Sequence, residues 1–119
     1  MNPRILASGI KAISAVLSPP KVSSAAKADA CVEQWEDKMA KLDAEYSQTL
    51  TAKMKVAVMY SMLPRDMQDR LLDRCAVGWD KSNEAEAAKL FTSLKVEIKN
   101  IAKAHRELAG PRPMEVDQV

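Results

Sequence analysis

KVAVMYSMLPRDMQDRLL, residues 55–72, is apolar on almost every side up to Leu63, stops at Pro64, and restarts at once as a charged amphipathic segment. A helix that is apolar nearly all round belongs in the middle of a bundle. Over residues 49–63, Leu50, Met54, Ala57, Val58, Met62 and Leu63 are expected to cover most of the circumference, with Lys53 and Lys55 on the exposed flank. Pro64 pushes Leu63 toward an extended conformation, and proline suits the first position of a new helix. A short helix is then expected over 65–75, with Met67, Leu71, Leu72 and Cys75 turned inward. Asp66 falls near its positive end and is correctly ordered with Arg70 at i, i+4. Leu63-Pro64 thus reads as a sharp corner between two helices.

Working outward, residues 27–46 carry Ala28, Val32, Trp35, Met39, Leu42 and Tyr46 at alternating spacings of four and three, one narrow helical stripe. Ser24 is the expected N-cap. The stripe lasts under three heptads and lacks a Leu or Ile ladder, so it is expected to pack on its own neighbours and not to seam a coiled coil, with Trp35 as a core anchor. Residues 4–17 place Ile5, Leu6, Ile10, Ile13, Val16 and Leu17 near one face, and Ser18-Pro19-Pro20 ends that helix. A start rich in Ala, Ser and basic residues also has the look of an organelle transit peptide, but an intrinsic helix is the preferred reading. Residues 76–83 read as a loop centred on Gly78, and Asn83 with Glu86 gives a start signal of capping-box type. In the last helix, to about Leu108, Ala87, Phe91, Leu94, Ile98, Ile101, His105 and Leu108 share a face. Gly110 and Pro111 close it and begin a flexible tail.

Composition agrees. The chain has 119 residues, enough for one domain, with 47% hydrophobic and 29% charged residues. Three glycines, 4% aromatics and seven methionines favour helices and starve a sheet. The expected fold is all-α: a small bundle of about five helices, divided into an N-terminal basic helix and Pro-containing turn (1–22), a helical domain (23–109) and a tail (110–119). The net charge of +2 hides an asymmetry: residues 1–27 hold four basic residues and no acid, and 28–48 hold six acids against Lys38 and Lys41. Residues 87–108 are again basic, and such an alternation suits self-association or weak contact with a polyanion. No window of 18 apolar residues exists, so no membrane partner is expected. Cys31 and Cys75 form neither a CxxC pair nor an array with the single His105, so reduced thiols in an intracellular, cytoplasmic protein are expected, with organelle import a minor alternative.

Catalysis needs a nucleophile, a base and a stabiliser in convergent positions. Here His105 lies on a helical core face, and the acid pairs Glu36/Asp37 and Asp69/Asp73 lie on helix surfaces. No phosphate loop, nucleophile elbow or metal-ligand spacing occurs. The chain is read as a non-enzyme with no cofactor, metal or small-molecule substrate. The best polar candidate is the strip Lys95, Lys99, Lys103 and Arg106, which could contact phosphates. A solvated helix face is the weightier reading of it, because no aromatic is interleaved for base stacking. Trp79, in the expected loop, is either a plug for the bundle end or an interface anchor, with the plug preferred.

Several motifs fall in a consistent order: SPP-V at Ser18, Pro19, Pro20 and Val22; V-x-x-W-E at Val32, Trp35 and Glu36; K-x-A-x-M-x-x-M-L-P from Lys55 to Pro64; D-x-Q-D-x-L-L from Asp66 to Leu72; and P-M-x-V at Pro113, Met114 and Val116. Together they resemble the Gag, or capsid-like, region of long-terminal-repeat retrotransposon polyproteins over roughly residues 18–119. The resemblance implies a retroviral-capsid-like helical domain that self-assembles around the element's RNA. The P-M-x-V tail resembles the linker that leads into a CCHC zinc knuckle; the chain stops before one, so a truncated or domesticated polyprotein fragment is implied. The expected function is structural, with the chain itself as main partner and RNA as a weak one. Trp35, Leu63, Pro64 and Phe91 would hold its core and corner. The alternatives are a nucleic-acid-binding helical module that uses the basic N-terminus and last helix, or a helical protein–protein adaptor.

Overall fold

The computed structural model describes residues 3–79 and 83–109, and the side chains of 9–74 and 83–108. Five α-helices run in order: α1 Pro3–Leu17, α2 Ala28–Tyr46, α3 Ala52–Met62, α4 Arg65–Trp79 and α5 Glu84–Ala109. A 3-10 turn, Ala25–Lys27, precedes α2, and no strand occurs among the described residues. The fold is all-α, as composition and periodicity require. The tail at 110–119 lies outside the described residues.

The long α5 is the central support, against which α2, α3, α4 and the 3-10 turn all pack. Its buried face is Ala87, Phe91, Leu94, Ile98, Ile101 and Ala102; of the expected stripe, His105 is half-buried and Leu108 is exposed. From α2, Ala28, Val32, Trp35 and Leu42 are buried, and Met39 packs against the core edge. Val22, from the Pro-containing turn, is also in the core, and its N–H donates to Met62 O at 2.7 Å. That bond occupies one of the carbonyls a helix C-terminus leaves without an internal partner.

The corner forms where proline demands it. Leu63 adopts φ −74°, ψ 151°, and Pro64 precedes α4, its carbonyl accepting the Gln68 N–H at 3.0 Å. Pro64 is therefore one place ahead of the first helical position expected for it. The corner is braced from both sides: Tyr60 Oη donates to Gln68 O at 3.2 Å, and Gln68 Nε2 donates to Tyr60 O at 2.9 Å. Leu63 itself is fully buried beside Met59, Met67 and Leu71 in one continuous cluster.

Four further expectations change. The buried face of α3 is Ala52, Val56, Met59 and Met62, whereas Met54 and Ala57 are exposed. A helix apolar on every side has no periodic contrast, so its neighbours choose the face. Leu72 is exposed, because only Met67 and Leu71 of α4 reach the core among the described side chains. The expected loop at 76–79 is helical, so Trp79 ends α4 instead of lying in a loop. One glycine costs a helix about 1 kcal/mol against alanine, too little for Gly78 to stop it. Ser24 precedes the 3-10 turn without a side-chain cap bond; its carbonyl accepts the Lys27 N–H at 3.1 Å.

Candidate interaction surfaces

The basic strip depends on how α5 begins and what it packs on. Asn83 and Glu86 form a reciprocal capping box: Glu86 N–H donates to Asn83 Oδ1 at 2.8 Å, and Asn83 N–H donates to Glu86 Oε1 at 3.2 Å. The helix then carries Lys95, Lys99, Lys103 and Arg106 on one flank, where Lys95 and Lys99 line a groove shared with α2, the acidic helix. Lys95 Nζ donates to Glu36 Oε2 at 2.7 Å and stands 4.9 Å from the Phe91 ring centroid. Arg106 donates to Asp29 Oδ1 at 2.8 Å and to Ala26 O at 2.9 Å. Partial burial pushes the Asp29 carboxyl up. The Arg106 hydrogen bond, the Ala30 amide and the guanidinium charge outweigh it and hold the group below the usual carboxylate range.

Two of the four cations are thus engaged in clamping α5 to α2, and Lys99 and Lys103 are exposed. The groove between the two helices, about 270 Å³, is lined by Asp29, Glu33 and Glu36 as well as by Lys95 and Lys99. Carboxylates in the same cleft largely cancel the positive potential that a phosphate backbone would need. The strip is chemically an interhelical lock with two exposed lysines beside it.

The aromatic residues form a hub. Trp35 and Phe91 meet edge to face, with centroids 6.1 Å apart and an interplanar angle of 71°. Lys55 reaches toward the same Phe91 ring at 5.9 Å. The buried Trp35 Nε1–H donates to Val16 O at 2.9 Å, which links α2 to the C-terminal end of α1. Leu63 lies in the same core cluster as these rings, and Pro64 follows it at the corner. The Trp79 side chain lies outside the described residues. His105 is half-buried, and no group of His, Cys, Asp or Glu suited to a metal occurs among the described residues. No described helix is long and apolar enough to cross a membrane.

Two polar links have no trace in local sequence. Both Glu84 oxygens accept the Ala52 N–H, at 2.8 and 3.1 Å, so the first residue of α5 caps the start of α3. Thr51 Oγ1 accepts the Met54 N–H at 3.2 Å and completes that cap. Arg74 of α4 pairs with Glu97 and Ser93 of α5. The partners in these two links stand 19 to 32 residues apart, beyond any helical spacing rule. The apolar surface is also uneven: Ile10, Ile13 and Leu17 on α1, Met54 on α3, Leu72 on α4, and Val96 and Leu108 on α5 are exposed. Compared with known proteins, the chain matches no family model, no curated protein and no solved structure.

Proposed function

We propose that this chain is a non-enzymatic, Gag-like structural protein that acts by self-association, with RNA a weak and secondary partner. The observation that carries the reading is the apolar side chains left exposed on four helices, α1, α3, α4 and α5. A unit with apolar contact points on several elements can meet more than one neighbour, as assembly into a larger body requires. The motif order from Ser18 to Val116 adds the Gag-like resemblance. The cations of α5 support only a small role for RNA, since Lys95 and Arg106 are held by Glu36 and Asp29.

Sedimentation equilibrium from micromolar to millimolar concentration tests this. The weight-average mass should rise with concentration, and a strict monomer across the range would remove the proposal. If single-stranded RNA binds through Lys99 and Lys103 alone, two phosphate contacts predict a log–log salt slope of about −1.4. A much steeper slope would favour a dedicated nucleic-acid module.

A further inference from the structure

Helix α1 ends at Leu17 and the 3-10 turn begins at Ala25. In the stretch between them Ser18, Pro20, Lys21, Ser23 and Ser24 are exposed. The stretch is pinned on either side: Val16 is buried and its carbonyl accepts the Trp35 Nε1–H, and the N–H of the buried Val22 donates to Met62 O. Ser18 is the only serine or threonine of the chain followed by proline, and Lys21 stands three places after it. No acid occurs in residues 1–27. Ser18-Pro19-Pro20-Lys21 thus presents a solvent-facing hydroxyl, a neighbour that lacks an N–H and disfavours helix at the acceptor, and a cation at a set register. A protein kinase reads its acceptor as a short extended segment, and these are the local features that a proline-directed serine kinase selects.

We propose that Ser18 is an acceptor site for a proline-directed serine/threonine kinase, and that phosphate there loosens α1 from α2. Ser18 Oγ attacks the γ-phosphorus of ATP, the bond from that phosphorus to the β,γ-bridging oxygen breaks, and ADP leaves. The hydroxyl proton passes to the kinase's carboxylate base. The product carries about −1.5 to −2 charges at pH 7. They sit directly after the last residue of α1, where unpaired carbonyls already make the helix end negative. The last turn of α1 holds no basic residue to offset them. Two residues back lies Val16 O, the acceptor that seats α1 on Trp35, so fraying of this turn acts directly on the seat. Lys21 and Lys38 share the groove beside Pro19 and Pro20. Lys21 can pair with the phosphate whether α1 is seated or not. Lys38, on α2, is exposed, and exposed pairs are worth little, so repulsion at the helix end sets the sign.

The test incubates the full chain with a purified proline-directed kinase, magnesium and ATP, and locates phosphate by tandem mass spectrometry. Ser18 should be modified and Ser18→Ala should take up none. Ser23 and Ser24, equally exposed in the same stretch but followed by serine and alanine, should stay unmodified. Hydrogen exchange on the modified chain should show α1 amides exchanging about threefold to thirtyfold faster, the range for two charges at a helix end, with α3 and α5 unchanged. A chain left unmodified, or modified equally at Ser23 or Ser24, overturns the site. Phosphate on Ser18 with α1 protection unchanged or raised overturns the release of α1.

Discussion

Replacing Trp35 by phenylalanine separates the docking of α1 from the packing of the rest of the bundle. Phenylalanine keeps an aromatic ring near Phe91 but cannot donate to Val16 O, the 2.9 Å bond that holds the end of α1. The carbonyl lies on the last turn of a helix, where no intrahelical donor is available, so losing its partner costs about 1–3 kcal/mol if it stays buried. The smaller ring adds a packing loss. Complete truncation of a buried tryptophan to alanine costs about 3–5 kcal/mol, so the partial change is assigned about 1 kcal/mol. The sum is about 2–4 kcal/mol. Urea unfolding followed by circular dichroism should show it as a lower midpoint with little change in slope. Native-state hydrogen exchange should place the loss: amides of α1 should become the least protected of the five helices, while α3 and α5 keep their relative order. Stability within about 0.5 kcal/mol of the native chain, with α1 protection unchanged, would refute the assignment of this bond as the anchor of α1.

Two further outcomes follow from the polar links. Glu84→Ala should destabilise the fold by about 1.5–3 kcal/mol in urea titrations, because it removes a charged acceptor from the buried Ala52 amide and from the positive end of α3; Glu84→Gln, which keeps a neutral acceptor, should lose less than half of that. Asp29 has its folded-state carboxyl held low by Arg106, so its contribution is present above the ordinary carboxylate range, near pH 4, and is lost as pH falls through the lower folded value. Asp29→Asn should therefore flatten the acid limb of the stability–pH curve, by less than about 1 kcal/mol given that Arg106 is nearly half exposed.

How much could be read in advance depended on contrast. The α2 stripe and the α5 face alternate apolar and charged residues at 3.6-residue spacing, so Val32, Trp35, Leu42, Phe91, Leu94 and Ile98 stood out as buried before any packing was known. The pair Asn83 and Glu86 announced the start of α5 because a capping box is a local, four-residue device. Leu63-Pro64 announced the corner because the steric restriction on a pre-proline residue is local too. Where contrast is missing, local sequence does not decide: α3 is apolar all round, so its neighbours choose its inward face, and one glycine at 78 costs too little to end α4.

The strip of lysines and arginine on α5 shows the other boundary. Its helical register was determined by sequence alone, since Lys95, Lys99, Lys103 and Arg106 recur at spacings of four and three. Whether those charges were free was decided only by the packing of α2, which brings Glu36 and Asp29 from 59 and 77 residues away. The same holds for the α1 stripe, whose apolar spacing is written in residues 6–17 but whose exposure depends on which edge α2 covers. Local sequence sets what a helix offers on each side, because backbone geometry repeats every few residues. Tertiary structure decides which of those offers is already taken, because that choice is made by partners the chain brings in from far away.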